Sequence, residues 1–281
     1  MEYYLHQGKI TCETDFNLKA ELLCFPVKVK SSMWFSNGEI PFFDNHITKF
    51  NHYFEILNLS YRIDNSEETE LKRLIRRLIN KNKAFMGGWV HLNLFIRKSE
   101  WRYIAYIEKY PRREIPFEEH GKLAIISSEV KWSKSITVNS VFGMNPTWEN
   151  EKLKITGSRY GDSIFCNENG SVVESTGSNI FCIDQDKLYT PSANTGCFED
   201  NFRQLTLDSA LHLGLKIFES DKLTPRELML MDEIFTASEC NGFRWILGID
   251  NKRFVRKKAE MIRNGVEVLL WKNRQNLVER R

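Results

Sequence analysis

The sequence lacks most of what would mark a membrane, secreted or nucleic-acid-binding protein. No apolar run in its 281 residues approaches the roughly 18–20 that a membrane span needs. The opening stretch, MEYYLHQGKITCETD, has no basic segment followed by an apolar one, so it does not read as a signal peptide. Neither sign of charge dominates: 40 Lys and Arg stand against 37 Asp and Glu, a net charge of +3. That balance makes no electrostatic case for a nucleic-acid or membrane partner. The six cysteines (Cys12, Cys24, Cys166, Cys182, Cys197 and Cys240) are scattered and include no CxxC pair. Such spacing excludes a zinc or disulfide framework and leads us to expect buried, reduced thiols in a cytoplasmic protein. Six histidines are equally dispersed, with no metal-ligand pairing, so no metal is expected. Nucleophile-elbow, Walker and dinucleotide motifs are absent, as are internal repeats and low-complexity tracts.

What is present is core-forming material. Hydrophobic residues make up 42% of the chain and aromatics 12%, enough for one large domain or two modest ones. Residues 3–35 read as two or three strands ending at the Ser36-Asn37-Gly38 turn. A helix is expected from Asp44 to Leu57, because His46, Ile47, Phe50, Phe54 and Leu57 share a face. A second helix has Ser66 as its expected cap and a stripe of Leu71, Leu74, Ile75, Leu78 and Ile79. Trp89–Ile96 and Trp101–Ile107 read as a strand pair. Pro111, Pro116 and clustered charges between Tyr110 and His120 suggest an interdomain linker. Beyond it come a strand at Lys122–Ser127, short strands from Ser163 to Tyr189, and a helix from Asn201 to Leu213 closed by Gly214. Thr224-Pro225-Arg226-Glu227 is a capping box with proline at N1, and a last amphipathic helix runs from Lys257 to Lys272. Residues 133–160 show no clear period, since glycines and Pro146 interrupt it. The fold class expected is α+β in two parts: residues 1–115, a linker at 116–121, and a larger domain at 122–281.

Several landmarks then occur in order. They are Phe43-Asp44-Asn45-His46-Ile47-Thr48-Lys49-Phe50, Val173-Glu174-Ser175-Thr176-Gly177-Ser178-Asn179-Ile180-Phe181, Leu188-Tyr189-Thr190-Pro191, Gly196-Cys197, Arg203-Gln204, Asp232-Glu233-Ile234-Phe235 and Gly242-Phe243-Arg244-Trp245. Together, over roughly residues 36–256, the chain resembles the class IV aminotransferases. These are the fold-type IV pyridoxal-phosphate enzymes, which include branched-chain and D-amino acid aminotransferases and aminodeoxychorismate lyase. The resemblance implies a two-domain architecture with a cofactor cleft, a homodimer, pyridoxal 5′-phosphate as cofactor and an amino acid or related small molecule as ligand. It places Glu174 opposite the pyridine nitrogen, where a carboxylate keeps the ring protonated as an electron sink. It also assigns Lys49, Ser178, Asn179, Asn201 and Ser238 to cofactor binding. Leu153-Lys154-Ile155-Thr156 is similar to the family's Leu-Lys-Thr, which makes Lys154 the candidate Schiff-base lysine and leaves Lys134 as another. As ordinary polypeptide, Glu174 reads as a polar strand residue, and Lys49, Lys134 and Lys154 as solvated lysines. Trp89 and His91 fall on the strand where the family places substrate-facing groups, or are simply buried.

The chain also departs from the family pattern. Lys49 stands where an arginine's planar fork grips phosphate. Asp200 opens the Asn201 helix, where related chains leave bare N–H groups for the phosphate, and Glu239 lies near the second phosphate-binding turn. Counting back from Glu174 to the family's lysine lands near Ser140–Phe142, where no lysine occurs. Three readings follow: a divergent member with an eroded, repurposed site; an active aminotransferase or lyase using Lys154; and a non-catalytic dimeric scaffold.

Overall fold

A computed structural model describes residues 2–15, 25, 27–97, 100–135 and 145–278, with side chains to Trp271. The chain forms two compact units, the first built on Met1–Glu114 and the second opening at Ile115.

The first unit is a five-stranded antiparallel sheet with two helices on one face. Its strands are β1 (Tyr3–His6), β2 (Lys9–Cys12), β3 (Val27–Ser36), β4 (Gly87–Arg97) and β5 (Glu100–Tyr110), in the order β2-β1-β5-β4-β3. Side chains alternate across a strand, so Val90, Leu92, Leu94 and Ile96 of β4 enter the core while Trp89, His91 and Asn93 take the other face. Helices α1 (Phe43–Ile56) and α2 (Asn65–Lys81) close that core with Phe43, Ile47, Phe50, Phe54 and the expected stripe from Leu71 to Ile79. The cap of α2 is Asp64, not Ser66. Its carboxylate accepts the Glu67 N–H at 2.8 Å, while the Glu67 carboxylate accepts the Asp64 N–H at 3.2 Å. Asp64 and Glu67 thus form the reciprocal box, and Ser66 lies inside the first turn.

The second unit is a nine-stranded mixed sheet. Its strands are β6 (Phe117–Lys131), β7 (Tyr160–Asn167), β8 (Val172–Ser175), β9 (Asn179–Asp184), β10 (Lys187–Pro191), β11 (Lys216–Ser220), β12 (Glu233–Ser238), β13 (Gly242–Ile249) and β14 (Lys252–Arg253). Their order is β11-β10-β9-β12-β13-β6-β7-β8, with β14 paired to β13. Phe117–His120, expected in the linker, is strand, because Phe117 and Glu118 pair with Phe243 and Arg244 in a parallel ladder. Helix α3 (Pro146–Ile155) occupies the stretch that showed no period. Asn145 caps it, accepting the Thr147 N–H at 3.0 Å, and Pro146 stands at N1.

Helix α4 (Asn201–His212), the single turn α5 (Pro225–Leu228) and helix α6 (Lys258–Val278) complete the unit. The N–H groups of Lys257, Lys258 and Ala259 all reach the Glu233 carboxylate, which ties the start of α6 to β12. Ser209 of α4 donates to the Ile262 carbonyl at 2.7 Å. Gly265 permits that approach, since a Cβ there would lie 2.1 Å from the Ser209 hydroxyl. No disulfide joins the described cysteines; Cys182 and Cys197 are buried as expected, whereas Cys12 and Cys166 are only half-buried. Cys240 departs from the expectation by being exposed, because it lies in the tight β12–β13 turn.

Candidate active site

Strand β8 buries every residue from Val172 to Ser175, and Glu174 is 0% exposed. A bare carboxylate could not be held there, because desolvation would cost several kcal/mol. Two residues from other elements meet it. Lys131 is the last residue of β6, where the register with β7 slips between Ile126 and Val130 and leaves it opposite Asn167. Such irregularities re-aim side chains, and the Lys131 ammonium donates to Glu174 Oε2 in a fully enclosed ion pair. From α3, the Trp148 indole N–H donates to Oε1 at 2.7 Å. Trp148 itself is buried beside Phe165, Val173 and Cys197. Burial still pushes the Glu174 carboxyl up from its ordinary value, against the opposing pull of Lys131, the Trp148 N–H and the Phe198 backbone N–H.

A second cluster gathers where β9, α4 and the β12–β13 turn converge. The backbone enters β9 through a turn at Thr176-Gly177, with Gly177 at φ 68°, a left-handed conformation that disfavours side chains with a Cβ. Asn179 then donates its amide to Asp200 Oδ1 at 2.8 Å. Asp200 caps α4, accepting the Phe202 N–H on the same oxygen at 3.0 Å, and its other oxygen accepts the Glu239 backbone N–H at 2.6 Å. Asn201 donates to the Glu239 carboxylate at 2.8 Å. The Ser178 and Ser238 hydroxyls lie 3.0 Å apart, and Asn241 donates to both.

The structure therefore groups Ser178, Asn179, Asn201 and Ser238 around Asp200 and Glu239. Lys49 lies on α1 of the first unit, half-buried. Lys154, the candidate Schiff-base lysine, lies on the outer side of α3, with its side chain 52% exposed and its ammonium 2.7 Å from both Glu129 and Glu151. Those carboxylates raise its pKa, the opposite of what a nucleophilic amine needs. Trp148 and Glu151 of α3 point inward, so Lys154, three residues after Glu151, continues as that glutamate's surface partner. Lys134 is exposed as well, and Ser140–Phe142 lie outside the described residues.

Sequence reasoning missed both partners of Glu174. The Asn145-Pro146 pair was an available signal for a helix carrying Trp148. Lys131 had no such signal, because its position depends on a register slip within a long strand.

A different polar array lies on the first unit's sheet. Across β3, β4 and β5, Ser32 Oγ is 2.8 Å from His91 Nδ1, and His91 Nε2 is 2.8 Å from a Glu108 carboxylate oxygen. An ionised carboxylate only accepts, so Nε2 carries the proton and Nδ1 accepts from the serine. The order is hydroxyl, imidazole, carboxylate. Yet Ser32 is buried while the Glu108 side chain is 61% exposed, the reverse of what a nucleophilic serine requires.

Comparison with known proteins agrees with the fold. Residues 30–248 match the family model described as amino-transferase class IV. The aminodeoxychorismate lyase of Bacillus subtilis (strain 168) is 24% identical over 206 residues, 69% of this chain and 68% of that protein. The PLP-form (holo-form) structure of a branched-chain amino acid aminotransferase from Thermobaculum terrenum superposes with a TM-score of 0.81 at 16% identity. It covers 96% of this chain and 94% of its own. A branched-chain aminotransferase from Thermoproteus uzoniensis, solved with norvaline, gives 0.78 at 18% identity, covering 96% and 94%.

Proposed function

We propose that this chain, which belongs to the amino-transferase class IV family, keeps the family scaffold without its pyridoxal-phosphate chemistry and serves as a non-catalytic, repurposed member. The observation that carries this reading is the Lys131–Glu174 pair. In pyridoxal phosphate the aldehyde carbon is attached para to the ring nitrogen, and a carboxylate that keeps the ring protonated must touch that nitrogen. Here the atom against Glu174 is the Lys131 ammonium, and Trp148 takes the other carboxylate oxygen. An amine bonded to the carboxylate stands in the place of the ring nitrogen, at the wrong end of the ring to meet the aldehyde.

The remaining groups fit the cofactor no better. Lys154 is exposed and held protonated by two glutamates. Asp200 takes up the N–H groups that a phosphate would need. At about 4 Å and an effective dielectric near 20, each unit of like charge there would cost roughly 4 kcal/mol. The homodimer, the cytoplasmic setting, the division into domains 1–115 and 122–281, and a small-molecule ligand of amino-acid type belong to the same proposal.

The test is spectroscopic. Purified protein incubated with pyridoxal phosphate and then desalted should retain no band near the visible edge. Borohydride treatment followed by peptide mass spectrometry should find no lysine adduct. A stoichiometric adduct on one lysine, formed after unbound cofactor is removed, would overturn the reading, and its position would identify the residue that forms it.

A further inference from the structure

We propose that the Asp200 carboxylate is the resident anion of a phosphate-type site, supplied by the chain to itself. This deepens the reading above, but it concerns inorganic phosphate and the chain's own donors, so it stands or falls separately from any aldehyde chemistry.

A carboxylate that served only as a helix cap would need only N–H groups from its own helix. Asp200 receives the Phe202 N–H from the first turn of α4, the Glu239 N–H from the β12–β13 turn and the side-chain amide of Asn179 from the start of β9. Donors on separate elements converge on one point, and that point lies at the positive end of a twelve-residue helix. Both carboxylate oxygens are used. The buried Glu239 side chain engages Asn201, the next amide along, so a second acid occupies the neighbouring donor. The arrangement is an anion-binding cradle whose anion is covalently attached. The donors persist because Asp200 satisfies them, and removing it should expose a site for a free tetrahedral anion.

Thermal unfolding in inorganic phosphate, against chloride at matched ionic strength, tests this. Phosphate stabilises folded proteins in general, so the readout is each variant's gain relative to that of the unaltered chain. Asp200→Gly leaves room for the anion and keeps a tolerated cap residue. It should unfold several degrees lower in chloride and regain about 2–4 °C more than the parent in phosphate. The double variant D200G/E239S should gain more, because the second acid is gone. If D200G does not fold, D200S, which retains a hydroxyl cap, is read the same way. Phosphorus NMR line broadening of inorganic phosphate by the variant, and not by the parent, supplies an independent measure. A folded variant with the parent's salt response, or a parent that binds phosphate as its variants do, overturns the proposal.

Discussion

Each sheet of this protein buries a polar array, and the two arrays handle burial in opposite ways. In the first unit, the Ser32–His91–Glu108 line keeps its carboxylate in water and its buried member neutral. Burial, with the Lys30 charge second, lowers the His91 pKa more than Glu108 raises it. In the second unit, Lys131 and Glu174 are both enclosed, and the Trp148 N–H completes the set. The first array avoids the cost of a buried charge by staying uncharged; the second offsets it by pairing. The first should therefore respond mildly to mutation and visibly to pH, whereas the second should be intolerant of losing one member.

The largest effect is expected from Lys131→Met, which strands a buried carboxylate. Urea unfolding should show a loss of about 3–5 kcal/mol, and K131M/E174L should recover most of it. If the single and double variants are equally unstable, the pairing account fails. Trp148→Phe keeps an aromatic ring but removes the donor and part of the indole's buried volume. Hydrogen bonds to charged groups contribute about 1.5–3 kcal/mol, and a loss in that range is expected by the same measurement.

The pH prediction sharpens the other side. His91 is neutral in the fold because its folded pKa lies below 6.5, whereas the unfolded chain takes up a proton near 6.5. The unfolded state then binds more protons below that pH, so His91's contribution is fully present above about 6.5 and falls on acidification toward its folded pKa. The slope approaches about 1.4 kcal/mol per pH unit at most. His91→Gln should lack this component between pH 7 and 5.5, and an unchanged slope would refute the neutral-imidazole assignment. The smallest effects belong to the surface. Glu108→Gln should cost under about 1 kcal/mol, and Lys152→Ala should leave the melting temperature unchanged within error, because its pair with Glu149 is exposed on both sides and screened by solvent.

Much of the scaffold was legible because its signals are local. The α2 stripe, the Thr224 capping box and Gly214 after α4 each depend on residues a few positions apart, and each was found where expected. Within the site, Asp200 was readable for the same reason: an aspartate immediately before a helix caps it. Lys154 stood out because its neighbours resemble a motif, whereas the inward side of α3 carries Trp148 and Glu151. Helix α3 itself was missed because flanking glycines and an unreadable period obscured the Asn145-Pro146 start.

What the sequence determined by itself was class and family: charge balance, apolar content and landmarks in order all survive without coordinates. The tertiary structure decided what touches Glu174. Lys131 is far from it along the chain and reaches it through parallel pairing of β6 with β7, a register slip and the antiparallel return of β8. Those are long-range backbone arrangements, set by sheet assembly and not by neighbouring residues. The convergence of Asn179, Phe202 and Glu239 on Asp200 has the same origin. A sequence can show that an acid caps a helix. Only the packed fold shows which distant donors the acid also satisfies.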